Sequence, residues 1–329
     1  MGGREGERGG TVNNRLRLRH AQGRAGPCRD APLFAHLPIW YKQHFKWEEY
    51  AMTGIVHDSV DSLAALIPDG SKIVVPADYT GIAMELTRAM VRRGVRDLYM
   101  VCLPVTGLQG DMLIGAGAVK TIETSAVTLG EFGGAPRFQA AIGDGSLHIK
   151  DATCPAIHAG IQAAQKGIPY MPLRGMIGSD VLANRDDWKV AQNPFSDEED
   201  PIVLLPAIRP DFALIHAKKA DRHGNIYIGI RREVMALAGA SRQTLVTVEE
   251  IVDDNLLRDD ETAAGTLPAL YVGGVAEAKK GAWPLAFWDE YPADEAHMTS
   301  YVAAARSAEG FQDYLDQFVT GDARAAAAE

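Results

Sequence analysis

Cysteine is scarce: Cys28, Cys102 and Cys154 are the three in 329 residues. They follow no ligand spacing, so neither a disulfide framework nor a zinc site is expected, and a reducing compartment such as the cytoplasm is the natural setting. No run of 18 apolar residues occurs, so no membrane span is expected. Basic charge is also short. Lys and Arg number 33 against 43 Asp and Glu, a net charge of −10. With no basic face beyond the first residues, nucleic acid is excluded as a partner, and an anionic ligand has to be attracted locally. His148, His158, His216, His223 and His297 lack His-x-x-x-His spacing, so no metal site is expected. A Gly-x-Ser-x-Gly elbow is missing too, which disfavours a serine hydrolase.

What is present is a globular composition, 47% apolar, behind an unusual start. Residues 1–51 are rich in Gly and Arg and poor in apolar side chains, so they cannot repay their ordering entropy. They are read as a disordered or non-native extension, with Met52 as a plausible start. From Ser59 onward short apolar runs alternate with helical patterns. Strands are expected at Ile73–Val75, Asp97–Leu103, Val119–Ile122, Ser125–Leu129, Leu147–Lys150, Val203–Leu205, Phe212–His216, Thr244–Val248 and Leu270–Val272. Helices are expected at Val60–Ile67 under a Ser59 or Asp58 cap, Gly81–Arg93, Pro155–Gln165, Arg231–Ala240 and Asp294–Phe318. This rhythm predicts an α/β fold, an open, mostly parallel sheet with helices on both faces. No linker interrupts it, so residues 52–320 are expected to be one domain, and 321–329 a disordered tail.

Four stretches could carry chemistry. In Pro68–Gly81 a strand runs through a loop into a helix, which offers backbone N–H groups to an anion. Tyr79, Thr80 and Gly81 are its candidate substrate contacts. It does not read as a dinucleotide or P-loop motif. Gly130–Pro136 places Glu131 among glycines after a strand, with Gly133 beside it; Glu131 is a candidate base or nucleophile, though a flexible loop carboxylate is the commoner outcome for such a residue. Asp151–Pro155 puts Cys154 at a helix start capped by Thr153 or Asp151, an activating position for a thiol. Glu249 and Glu250 follow a strand, but sequence neighbours on a strand diverge, so one of them is expected to hydrogen-bond structurally. A fifth stretch, Pro206–Gly229, reads as a buried strand ending in a polar loop, Ala220–Asn225, whose Gly224-Asn225 pair suits positive φ. Loops of that kind are where open α/β sheets place ligands, and Asn225 is its candidate contact.

That last stretch, RPDFALIHAKKADRHGN, resembles the strand-and-loop signature of family I CoA-transferase alpha subunits, the glutaconate CoA-transferase type. The form there is Pro-Asp-Val-Ala-x-x-His, then Ala-Asp-x-x-Gly-Asn. Gly167-Ile168-Pro169-Tyr170 through Gly175 and Val248-Glu249-Glu250-Ile251-Val252 are similar to further segments of that family, and the resemblance spans about residues 58–285. In the first stretch, Asp69-Gly70, Ile73–Val75 and Gly81 match the family pattern, while Pro76-Ala77-Asp78-Tyr79 stand where it carries glycines. Pro76 has no N–H to donate, so a backbone oxyanion hole of the family type is not expected here. The resemblance implies one member of a hetero-oligomer that moves coenzyme A between carboxylic acids. It implies a beta-type partner that supplies the nucleophilic glutamate, an acyl-CoA thioester as substrate, and no permanent cofactor. Relatives of this family that hydrolyse steroid rings use an alpha-chain glutamate near residues 150–165, and this chain has none there. The alternatives are one chain of a CoA-thioester or ring-opening hydrolase, or a chain that binds acyl-CoA without catalysis.

Overall fold

The structure, a computed structural model, describes residues 55–79 and 81–321. The expected extension 1–51, with Cys28, lies outside them, as do Thr80 and the tail beyond residue 321. In chain order the regular elements are β1 (Val56–His57), α1 (Val60–Ala64), β2 (Lys72–Pro76), α2 (Met84–Arg93), β3 (Leu98–Leu103), β4 (Val105–Thr106), α3 (Leu108–Gly115), β5 (Val119–Thr124) and β6 (Ala126–Val127). They continue with α4 (Pro136–Asp144), β7 (His148–Asp151), α5 (Cys154–Gln165), β8 (Tyr170–Leu173), α6 (Asp180–Ala183), β9 (Lys189–Gln192), β10 (Pro201–Pro206), β11 (Phe212–Asp221) and β12 (Ile226–Tyr227). The last group is α7 (Glu233–Ala240), β13 (Gln243–Val252), α8 (Asp260–Ala263), β14 (Thr266–Leu267), β15 (Val272–Glu277), α9 (Glu295–Ala304) and α10 (Ala308–Leu315).

The main sheet runs β1-β15-β13-β11-β2-β3-β5-β7, and every pairing along that path is parallel. Strands buried on both faces need no polar alternation, which is why Ile73, Val74 and Val75 are all fully buried. Their side chains still part by period two. Ile73 and Val75 join the cluster under α1 and α2, whereas Val74 joins the cluster under α5 and α7. Helices therefore cover both faces of an open parallel sheet. A separate antiparallel sheet, β8-β10-β9, packs beside α5.

Local chemistry sets most boundaries. Ser59 caps α1 by accepting from Ser62 N at 3.1 Å, and Gly94 closes α2 in the left-handed conformation. Several expected bounds shift. The strand expected at Phe212–His216 runs on to Asp221: half-buried Lys218 and Lys219 interrupt the apolar run, and Ala220 and Asp221 return to the interior. Residues 269–271 form a 3-10 turn, and the strand begins at Val272. The tail expected as one helix breaks at Ser307, whose side chain caps α10 by accepting from Gly310 N. Neither Thr153 nor Asp151 caps α5 with its side chain; the Thr153 hydroxyl turns to Met176 Sδ at 3.3 Å instead.

Candidate active site

Strand order reverses between β2 and β11. From β2 the chain proceeds outward through β3, β5 and β7; from β11 it proceeds the other way through β13 and β15. At such a switch point the flanking loops leave in opposite directions and open a crevice beyond the carboxyl ends of the strands. Here the opening is pronounced. β2 and β11 share two residue pairs, Ile73 with Phe212 and Val74 with Ala213, before β2 ends and β11 continues. The loop after β2 returns to β11 at Gly81. Gly81 accepts from the His216 N–H at 2.8 Å, with φ at +99°, and a Cβ there would overlap the His216 carbonyl oxygen. Only glycine satisfies both conditions.

Beside this seam sits a closed hydrogen-bond network. His216, on β11, is buried, with its ring edge-on to Phe287 at 4.6 Å between centroids. Its Nε2 bonds Glu249 Oε1 on β13 at 2.8 Å, and its Nδ1 bonds Thr247 Oγ1 at 2.9 Å. Burial holds the imidazole below its ordinary pKa despite the neighbouring carboxylate, so it is neutral at pH 7. A neutral ring that donates through Nε2 must accept the Thr247 hydroxyl proton through Nδ1. Glu249 also accepts from Tyr291 Oη at 2.9 Å, Lys280 N at 2.8 Å and Gly281 N at 3.2 Å. Burial alone would raise this carboxyl, but His216, the Lys280 N–H and Tyr291 outweigh it and hold it below its usual value. The Tyr291 hydroxyl in turn accepts from Ala282 N at 3.0 Å. One carboxylate thus pins the segment after β15 across the ends of β11 and β13. Glu249 is the hydrogen-bonding member of the glutamate pair.

On the other side of the seam, Asp78 accepts from Gly107 N at 3.0 Å and Leu108 N at 3.1 Å, at the start of α3. Burial raises its carboxyl to about 6, against these two donors. A Cβ on Gly107 would overlap Asp78 Oδ2 and approach the Thr128 carbonyl to 2.7 Å, so the loops after β2, β4 and β6 touch. Thr128 Oγ1 in turn meets the Gly133 carbonyl and the Gly130 N–H.

The residues singled out in sequence distribute unevenly over this edge. Tyr79, 66% exposed, and Gly81 lie on the loop at the seam. Gly133 and Glu131 lie on the turn after β6, whose flanking Leu129 and Phe132 pack among the C-terminal helices. The Glu131 side chain is exposed. Cys154 is an exposed free thiol 3.2 Å from Ser125 Oγ, and Ser125 donates to the Pro104 carbonyl; the ends of β3, β5 and β7 are thus drawn together. Asn225 stands apart. It is buried, its amide nitrogen donates to Asp221 at 2.8 Å, and its oxygen accepts from Ala269 N at 2.9 Å. Asp221 gathers His223 N, Asn225 N and Leu256 N as well, so the expected ligand loop is a tightly bonded turn. Sequence reasoning missed Asp78, His216 and Tyr291. His216 had two signals, a lone imidazole in an otherwise apolar run and the histidine position of the Pro-Asp-Val-Ala-x-x-His signature. Among the described residues, no group of three or more His, Cys, Asp or Glu side chains is placed to hold a metal ion, and no helix is long and apolar enough to cross a membrane.

Comparison with known proteins agrees with this architecture. The chain is 27% identical to the A component of 3-oxoadipate CoA-transferase from Pseudomonas knackmussii, over 79% of this chain and 92% of that protein. It is 28% identical to the cholesterol ring-cleaving hydrolase IpdA subunit of Rhodococcus jostii, over 72% and 82% respectively. An uncharacterized protein of Archaeoglobus fulgidus is 29% identical over 79% of this chain, which spans only 58% of that relative's length. Among solved structures, glutaconate coenzyme A-transferase from Acidaminococcus fermentans superimposes with a TM-score of 0.75 at 26% identity, covering 80% of this chain and 88% of that one. Residues 57–278 match the family model Coenzyme A transferase. With that match over most of the described residues, the chain belongs to the coenzyme A transferase family.

Proposed function

We propose that this chain is the alpha subunit of a heteromeric CoA-transferase that moves coenzyme A between carboxylic acids, with the nucleophilic glutamate on a beta-type partner. The observation that carries the reading is the state of Glu249, the carboxylate at the seam. Four donors already occupy it. Three of them share Oε1 and Lys280 N holds Oε2, so this carboxylate is fixed as a structural clamp rather than free to swing onto a thioester carbonyl. The chain's role is then to shape one wall of the acyl pocket. Tyr79, Thr80 and Gly81 are its contacts with the acyl group, and Gly133 and Cys154 serve further along the same edge. The partner's glutamate attacks the thioester carbonyl, coenzyme A leaves as thiolate, and the thiolate returns to the resulting anhydride to give a glutamyl-CoA thioester and the free donor acid. The acceptor acid reverses these steps. Each stage conserves the thioester's energy, which is why the covalent route suits transfer. Residues 52–320 act as one domain in this reading, and the free thiols Cys102 and Cys154 suit a reducing cytoplasm. The name of the Rhodococcus relative and Pro76 at the end of β2 support hydrolysis as the second reading, with water in place of the acceptor acid.

The test is co-expression with a beta-type chain and assay on a panel of acyl-CoA thioesters, with and without acetate. Transfer that needs both chains and leaves a borohydride-sensitive thioester on the partner is expected. Release of free CoA without acceptor would replace the transferase by the hydrolase. A stable complex that binds acyl-CoA and never turns it over would leave a binding role alone.

A further inference from the structure

A cavity of about 210 Å³ lies on the face of the sheet covered by α5 and reaches Lys72 at the amino end of β2, the end opposite the crevice. Its floor is ionic and comes from four adjacent strands and the segment after α6: Lys72, Tyr99, Glu123, Lys150, Arg185 and Asp187. Its opposite wall is apolar and includes Ala156, Ile157, Leu205 and Ile208. Most of the floor is internally matched. Arg185, whose side chain is 2% exposed, bonds Glu123 at 2.7 Å and Asp187 at 2.8 Å, donates to the Asp151 carbonyl at 3.0 Å and stacks on Trp188. Lys150 bonds Asp187 at 2.7 Å, and the Tyr99 hydroxyl donates to Glu123 at 2.7 Å. Three cations thus face two carboxylates. Both carboxylates are taken by Arg185 and Lys150.

The remaining cation is Lys72. Among the described residues its ammonium has no carboxylate within ion-pair distance and no hydrogen-bond acceptor; it lies 4.3 Å from the centroid of the Tyr99 ring. Burial pulls its pKa below the ordinary lysine value, and the attraction of Glu123, shared with Arg185, does not make up for it. An unmatched cation in a half-closed cavity is costly unless an anion completes it. The cavity is too small for coenzyme A, since drug-sized ligands occupy roughly 300–1,000 Å³. It has far more room than one water needs, about 10–15 Å³ of such volume.

We propose that this cavity is a binding site for a small monocarboxylate, its carboxylate on Lys72 and its short aliphatic chain against Ile157, Leu205 and Ile208. One unmatched positive charge calls for one negative charge, and the apolar wall selects an acid with a hydrocarbon tail over an inorganic anion. The site is distinct from the seam and stands on the cavity's own residues, whatever reaction the complex performs.

Calorimetric titration of the full chain with sodium butyrate, and with inorganic phosphate at equal ionic strength, tests this. Saturable one-site butyrate binding is expected, with phosphate weaker by about tenfold or more. Lys72→Met is expected to weaken butyrate at least about tenfold, the loss of one charge-assisted contact, while Lys72→Arg retains most of it. Ala156→Leu, which fills the cavity and leaves the charge, is expected to weaken binding independently. Equal binding of phosphate and butyrate, the absence of saturable binding, or wild-type affinity in both Lys72→Met and Ala156→Leu would overturn the proposal. Butyrate held in the crevice beyond the carboxyl ends of the strands would show that last result, because Lys72 stands at the amino end of β2 and Ala156 lines this cavity from α5, so the titration separates this site from the catalytic one. Should Lys72→Met fail to fold, the Ala156→Leu titration and the phosphate comparison still decide.

Discussion

Glu249 shows what a single side chain does here. Its two oxygens take four donors from three segments: β11, the turn after β15, and Tyr291. Glu249→Gln puts an amide NH₂ where donors converge, so at least one of His216, Tyr291, Lys280 N or Gly281 N loses its acceptor. Losing one hydrogen bond to a charged group costs about 2 kcal/mol, and a urea titration should show that loss of unfolding free energy. An unchanged midpoint would mean that the network does not hold the turn. Sequence singled out Glu249 and Glu250 and assigned a hydrogen-bonding role to one of them. It could not name the partners, because His216 lies 33 residues away and Tyr291 lies 42. Asn225 marks the opposite limit: its Gly-Asn turn was legible, but the buried Asp221 that claims its amide was not.

At the scale of elements, the loop after β2 fits because Gly81 does. Its positive φ and its approach to the His216 carbonyl exclude any side chain. Gly81→Ala is expected to destabilise the chain by at least about 2 kcal/mol, through strain and overlap together. It should also lower the turnover of the reconstituted complex, because the loop must retreat from β11. A thermal melt and a steady-state assay on the same sample check both; an unaltered melting temperature would show that the loop adapts freely. The alternation of strands and helices was readable from short apolar runs, since the central parallel strands β2, β3, β11 and β13 are buried on both faces over most of their length. Element ends were less readable. In β11, Lys218 and Lys219 break the apolar run where hydropathy predicts a loop, yet β13 runs alongside and pairs with it to Asp221, and Ala220 is buried again. β9, with the sequence Lys-Val-Ala-Gln, has no apolar run to announce it and exists through its pairing with β10.

For the molecule as a whole, buried carboxyls set the response to acid, and they pull in opposite directions. Glu249, Asp187 and Asp221 are held below their ordinary values by the donors around them. Their stabilisation is present above the usual carboxylate range and is lost as pH falls through their lowered values. Asp78 is raised from 3.8 to about 6. The folded chain therefore binds more protons there than the unfolded chain; that contribution is present below 3.8 and is lost as pH rises through about 6. Asp78→Asn should remove this second effect. The stability difference between wild type and Asp78→Asn is expected to move by about 2 kcal/mol in favour of wild type as pH falls from about 7 to about 4. A difference independent of pH would return Asp78 to an ordinary carboxyl. None of this was visible in the net charge of −10, which bears on solubility rather than on the surroundings of individual acids.

The two-pair join between β2 and β11 has a consequence for how such a molecule changes over time. The half bearing β3, β5 and β7 and the half bearing β13 and β15 each bring their own loops to the crevice, and little ladder binds one to the other. What ties the lips is a handful of bonds outside the ladder: His216 N to the Gly81 carbonyl, Glu85 N to the Gly281 carbonyl and Arg88 to the Trp283 carbonyl. A substitution at one lip is therefore felt at the other through these contacts rather than through the register of the strands.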